Sequence, residues 1–198
     1  MAKTKSNAFK NIAVLFVVAL VSVALLAVLN QITKDKIEAA ETQARNEVYQ
    51  SVFAKAASFE EQEINYTPED ESIVLNNVLR ADSAEKEKLG YVFDVTSKNG
   101  YGGDVQIAVG ITNEGEVTAF KVISASETPG LGAKSMEDEY ASQFSGLSAL
   151  EHIEFSKTGA NRDNNEIDAI SGATITTTAT TNAVNAAIDL WQSQMKGE

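Results

Sequence analysis

The chain has 198 residues and no cysteine. That excludes disulfides, thiolate-ligated iron–sulfur centres and a thiol nucleophile. It has one histidine, His152, so a multi-histidine metal site and a bis-histidine haem site are excluded as well. A Ser-His-Asp triad would have to use His152, which lies in the short strand-like stretch Leu150-Glu-His-Ile-Glu-Phe155; an ordinary surface or strand histidine is the plainer reading. Positive charge is scarce: 16 Lys and Arg stand against 28 Asp and Glu, a formal net charge of −12, which argues against nucleic acid as a partner. The Asp163-Asn-Asn165 run lacks the spacing of a calcium loop and reads as a turn. No Gly-x-Gly-x-x-Gly fingerprint stands in a strand–turn–helix setting, so NAD binding by this chain is not expected. No internal repeat or low-complexity tract is present.

What is present begins with an apolar run. Ile12 to Leu29 is apolar at every position but Ser22, near the ~20 residues needed to cross a hydrocarbon core. Lys3, Lys5 and Lys10 precede it, and no acid occurs before Asp35. This basic flank predicts a cytoplasmic N-terminus and an extracytoplasmic remainder, a signal blunted by Lys34 and Lys36 just beyond the span. No clean Ala-x-Ala site follows, which favours an uncleaved anchor over a signal peptide. All 28 acids and 13 of the 16 basic residues lie beyond the run, leaving −15 on that part. The charge keeps it soluble and away from anionic headgroups. The organisation read from the chain is 1–11 cytoplasmic, 12–30 transmembrane anchor, 31–58 helical stalk and 59–198 a folded domain.

Within that domain, Ser58 to Glu71 is acidic and turn-like and reads as a surface connection. Ile73 to Leu79 reads as a strand, and Tyr91 to Thr96 as a second, rich in β-formers. After the glycine-rich turn Asn99-Gly-Tyr-Gly-Gly103, Asp104 to Thr112 alternates, with Val105, Ile107, Val109 and Ile111 on one face. Asn113-Glu-Gly115 turns the chain into a return strand, Glu116 to Ser124. The result is an antiparallel meander, so the fold class is α+β. Ser135 to Phe144 reads as a helix with Met136, Tyr140 and Phe144 inward, and Ile153 to Phe155 as a short strand. Near the end, Val184, Ala187, Ile188, Trp191 and Met195 recur at helical steps.

Two stretches carry chemistry. Asp168-Ala-Ile-Ser-Gly-Ala-Thr174 stands about where the last helix begins, followed by Thr176 and Thr177. A helix N-terminus offers unpaired N–H groups and suits a phosphate, and Gly172 lets backbone approach a ligand. The bland reading of Ser171 or Thr174 is a helix cap. About forty residues earlier, Glu127-Thr-Pro-Gly-Leu-Gly132 offers a Thr hydroxyl, bare backbone N–H groups and one apolar side chain, a loop able to line a flat cofactor. An ordinary strand-to-helix turn is its bland reading.

The first stretch resembles the flavinylation motif of the FMN-binding domain family, Asp-x-x-Ser/Thr-Gly-Ala-Thr, and the second resembles that family's other signature. The anchor, the Ala-rich stalk and the Gly-Tyr-Gly-Gly turn match in order, over nearly the whole chain. Within the family, the resemblance runs most closely to the G subunits of the Rnf ion-translocating complexes. It implies a membrane helix followed by an exported FMN-binding domain with an antiparallel sheet and flanking helices. It implies FMN, moved from FAD by a flavin transferase onto the hydroxyl of Thr174 as a phosphodiester. Ser171, Gly172 and Ala173 belong to the same motif, and Asp168, its leading acid, would position the loop for modification. Thr128, Gly130, Leu131 and Gly132 would pack along the isoalloxazine or donate backbone hydrogen bonds, with Glu127 orienting the loop. No metal and no catalytic base are implied. The chain would be a one-electron relay in a bacterial or archaeal cell membrane, working with the other Rnf subunits between ferredoxin and NAD+ and coupled to Na+ or H+ movement. The C subunit of a sodium-pumping NADH:quinone oxidoreductase, a stand-alone FMN-binding protein and a membrane-anchored binding or scaffold module remain alternatives. The register among Thr174, Thr176 and Thr177 also stays open.

Overall fold

The computed structural model describes residues 2–197. The chain divides into two compact units, one ending at Arg45 and the other beginning at Asn46. The first is helical: helix α1 spans Ala2–Val52, with its last residues belonging to the second unit. Within it Phe9–Lys34 is 26 residues long and apolar enough to cross a membrane. At 1.5 Å per residue that is about 39 Å of helix, more than the ~30 Å hydrocarbon core. Ser22, the polar residue of the run, donates its hydroxyl to the Val18 carbonyl at 2.9 Å. This internal bond satisfies a hydroxyl where lipid would offer no partner.

The second unit is built on a five-stranded sheet, β1 (Ser58–Glu61), β2 (Ile73–Asp82), β3 (Lys88–Ser97), β4 (Val105–Thr112) and β5 (Val117–Ala125). Neighbours in space are neighbours in sequence, and every pair is antiparallel. The meander is therefore as the alternation implies, with one strand more. β1 forms within the acid-rich Ser58 to Glu71 stretch, because it sits at the sheet edge, where solvent-facing glutamates stay hydrated.

Period-two patterning gives the sheet two buried faces. Val105, Ile107, Val109 and Ile111 are all fully buried and join one core with helix α3 (Thr174–Leu190), through Val184, Ala187 and Ile188, and with Trp191 just beyond it. In the same core the Phe120 and Phe144 rings stack 4.4 Å apart, and Tyr140 meets both edge-on. The alternate residues Ala81, Val92 and Ala108 face a second core with Tyr49, Val52, Phe53 and Ala56. Small residues let the end of α1 lie close: a Cβ on Gly110 would fall 2.7 Å from the Val52 carbonyl oxygen. The Thr118 hydroxyl donates to that carbonyl. On this face the fully buried Asp94 carboxylate accepts from the Tyr49 hydroxyl at 2.7 Å, and from the Asn76 and Gln106 amides at 2.8 Å each. A buried carboxylate is tolerated when so many donors meet it.

Beyond β5 the chain departs from the helix expected over Ser135 to Phe144. Glu137 is extended, at φ −80° and ψ 145°, and breaks it into 3-10 turns and the short helix α2 (Asp138–Ala141). Met136 consequently points outward, 46% exposed, while Tyr140 and Phe144 are buried as expected. Two short strands follow, β6 (Glu154–Ser156) and β7 (Glu166–Asp168). They pair in parallel, which brings the 157–165 loop back to the start of the Asp168 segment. His152 lies just before β6, and its Nε2 is 2.7 Å from the exposed Asp189 carboxylate.

Candidate functional site

Three segments distant in sequence meet at the start of α3. One is the Gly100-Tyr-Gly-Gly103 turn between β3 and β4, the second the loop Glu127 to Gly132 after β5, and the third the chain from Ile170 to Thr176. The Glu127 side chain joins them. It is 8% exposed; its Oε1 accepts from the Gly102 N–H at 3.2 Å and its Oε2 from the Thr176 hydroxyl at 2.9 Å. Gly132 leaves room for this bond: a Cβ there would sit 2.2 Å from Glu127 Oε2 and 2.6 Å from Thr176 Oγ1. The Thr128 carbonyl accepts from the N–H groups of Leu131 and Ala133, both at 3.1 Å, which closes the loop. Gly130, at the loop's tip with φ +76°, takes the left-handed conformation the turn requires.

The helix begins at Thr174, and no side chain caps it. The cap expected of Ser171 or Thr174 is thus absent: Ala173 holds the cap position. The first intrahelical bond runs from the Thr177 N–H to the Ala173 carbonyl at 3.0 Å. Among the described residues, the N–H groups of Thr174, Ile175 and Thr176 meet no acceptor, a set of orphan donors at the positive end of a 17-residue dipole.

The threonine hydroxyls differ in surroundings. Thr176 and Thr177 are fully buried. Thr176 is bound to Glu127, while Thr177 Oγ1 accepts from the Ile170 N–H and donates to the Ala173 carbonyl, each at 3.1 Å. Thr174 is exposed, and among the described residues its hydroxyl makes no hydrogen bond. It opens into a cleft of about 410 Å³, within the usual range for small-molecule sites. Gly172, Ala173 and Thr174 line the cleft, with Glu127, Thr128 and Gly132. Its apolar walls are Tyr101, Leu131 and Ile175, exposed by 69%, 44% and 52%. A narrow apolar cleft, a free hydroxyl and a row of unpaired N–H groups fit a flat aromatic ring carrying a phosphate tail.

Not every residue singled out from the sequence comes to this cleft. Asp168 and Ser171 line a neighbouring, charged one of about 470 Å³, with Lys134, Glu137, Arg162 and Glu166. Asp168 Oδ1 accepts from the Ala160 N–H at 2.7 Å, so this acid holds the preceding loop. Gly130 lines neither cleft. Burial pushes the Tyr140 phenol at the charged cleft up to about 12, against a lesser downward pull from Thr180 and Thr181, and it stays neutral at any physiological pH. Among the described residues no cluster suits a metal ion. Sequence reasoning passed over Tyr101 and Ile175, and weighed Thr176 only as another attachment point, not as the partner of Glu127. An aromatic flanked by glycines was the available signal for Tyr101; nothing local distinguishes Thr176 from its neighbours.

Residues 100–189 match the FMN-binding domain family, and residues 1–52 match the RnfG N-terminal region. The first match opens on the Gly-Tyr-Gly-Gly turn and closes within α3, so it contains all three segments of the cleft. The G subunit of the Na(+)-translocating ferredoxin:NAD(+) oxidoreductase complex of Acetobacterium woodii is 34% identical over 198 residues, covering 95% of this chain and 93% of that one. The chain belongs to the G-subunit family of ion-translocating oxidoreductase complexes. A second relative in this family, the G subunit of the ion-translocating oxidoreductase complex of Methanosarcina acetivorans, is 30% identical, with 93% of this chain and 95% of that one covered. The crystal structure of Shewanella oneidensis NqrC shares the fold, with a TM-score of 0.51 over 71% of this chain and 67% of that one, at 19% identity.

Proposed function

We propose that this member of the G-subunit family is the electron-carrying subunit of an ion-translocating ferredoxin:NAD(+) oxidoreductase complex, and that it holds FMN through a phosphodiester bond to Thr174. The observation that carries the reading is the contrast among hydroxyls: Thr174 is exposed at an uncapped helix start inside the cleft, whereas Thr176 and Thr177 are buried and bonded. In maturation the Thr174 oxygen bonds to the flavin-side phosphorus of FAD. The phosphoanhydride breaks, AMP departs, and the hydroxyl proton passes to the flavin transferase. The unpaired N–H groups of Thr174, Ile175 and Thr176 would meet the ester's negative charge, an arrangement worth about 0.3–1 kcal/mol at an exposed helix end. Leu131 and Ile175 offer apolar contact to the ring system, and Glu127 keeps the three segments in register. The bound flavin supplies the redox chemistry; the protein holds and tunes it. The absence of cysteine and the single histidine accord with a carrier that needs no catalytic base of its own.

The test is mass spectrometry of the full-length chain, co-expressed with a flavin transferase and its partner subunits. FMN mass on the peptide spanning Asn165 to Trp191, located at Thr174 and lost in Thr174→Ala, is the expected outcome. A wild-type peptide without added mass, or FMN on Thr176 or Thr177, overturns the assignment.

The same reading makes the chain a single-pass membrane protein, with the basic N-terminus in the cytoplasm and the flavin domain outside. Protease added to intact spheroplasts should digest the domain from Asn46 onward. Protection of that domain would reverse the orientation.

A further inference from the structure

Tyr101 stands apart from the other large apolar side chains of its unit. At 69% it is more exposed than Leu131, Met136, Leu150 or Ile175, whereas Tyr49, Tyr91 and Tyr140 are each under 5%. Among the described residues its ring has no aromatic neighbour and no cation over it. A solvent-facing aromatic would ordinarily be placed on a loose loop, but this one is not. A Cβ on Gly102 would sit 2.0 Å from the Ser126 carbonyl oxygen, so the turn is pressed against the strand end that leads into Glu127. The Gly102 N–H is bound to Glu127, and Glu127 is bound to Thr176, two residues past the attachment hydroxyl. The fold thus holds an unpartnered aromatic ring beside an apolar cleft at fixed distance from Thr174.

We propose that Tyr101 is a ring-stacking residue for the flavin, held at the mouth of the cleft by the Glu127 carboxylate, which acts as its positioning residue. The proposal rests on the reading that the cleft takes FMN. Rigid aromatic side chains lose little conformational freedom on contact, and offset stacking suits two flat π-systems. With Leu131 and Ile175, Tyr101 gives the ring system a third apolar wall that neither signature loop supplies. An electron-rich phenol against a flavin also quenches the flavin's emission, which makes the contact readable without any turnover assay.

The experiment uses the full-length chain, matured with a flavin transferase and purified in detergent. Covalent flavin is quantified by fluorescence of the denatured band, then emission and absorption are recorded on the folded protein. Tyr101→Leu should raise folded-state emission per attached flavin several-fold, while Tyr101→Trp keeps it low. Because Tyr101 lies outside both cores, these variants leave the fold intact. Tyr101→Phe, one hydroxyl away from wild type, should raise emission while keeping the wild-type absorption envelope. Glu127→Ala should raise emission as well, with partial recovery in Glu127→Gln, which retains one acceptor oxygen. Unchanged emission per attached flavin in Tyr101→Leu overturns the stacking and leaves attachment at Thr174 standing. Unchanged emission in Glu127→Ala overturns the positioning role. A wild-type band without flavin overturns the attachment itself, and the stacking with it.

Discussion

The two clefts at the start of α3 are similar in volume and draw on one segment of chain, but they differ in the charge of their linings. Residues 168–171 line the charged cleft, together with Lys134, Glu137, Arg162 and Glu166. Residues 172–176 line the apolar one, together with Tyr101 and Leu131. The division falls at Gly172, whose φ of +76° turns the backbone from one surface to the other. A motif that reads as a single signature therefore serves two surfaces. Its acid ties down the loop before it, through the Ala160 N–H, and its last threonine faces the apolar space.

Substitutions confined to one cleft sharpen this comparison. Gly132→Ala should have the largest effect. The new methyl group meets Glu127 Oε2 and Thr176 Oγ1 at 2.2 and 2.6 Å, so it must displace a buried carboxylate from its partners. Overpacking of this kind costs typically 1–3 kcal/mol, about 2 as a central value. Thermal denaturation should show a melting temperature lower by several degrees, and the attached flavin should show altered absorption. A wild-type melting curve would mean that the Glu127 link does not fasten the apolar cleft. Asp168→Ala should do less. It removes one hydrogen bond at an exposed site, a cost of roughly 0.5–1.5 kcal/mol. Flavin loading should slow, measured as covalent flavin per chain over time, while the absorption of flavin already attached stays as in wild type. An absorption change as large as that of Gly132→Ala would show that the two clefts are one site.

Much of the fold was legible in the chain. The long apolar run, the alternation of Val105, Ile107, Val109 and Ile111, and the helical spacing of Val184, Ala187, Ile188 and Trp191 are local patterns, and burial follows the last two closely. The hydroxyl and glycine signatures were legible too, because each is a short run of residues adjacent in the chain. The extended Glu137 that splits the expected helix was not, since helical propensity over Ser135 to Phe144 says nothing of the turn that tertiary packing imposes. The edge strand β1 was masked by its own solvent-facing glutamates.

The sequence by itself determined a membrane-length helix, an antiparallel meander and a terminal helix with hydroxyls and glycine at its start, since each needs only neighbours along the chain. Tertiary structure alone decided which hydroxyl stays open. Thr176 is consumed by a carboxylate 49 residues away, and that carboxylate also holds a turn 25 residues before it. Thr177 is consumed by the backbone at Ile170 and Ala173. Three threonines within four positions are chemically alike as letters. Folding leaves Thr174 as the one of the three whose hydroxyl is exposed and unbonded, because a buried hydroxyl must find a partner and an exposed one need not.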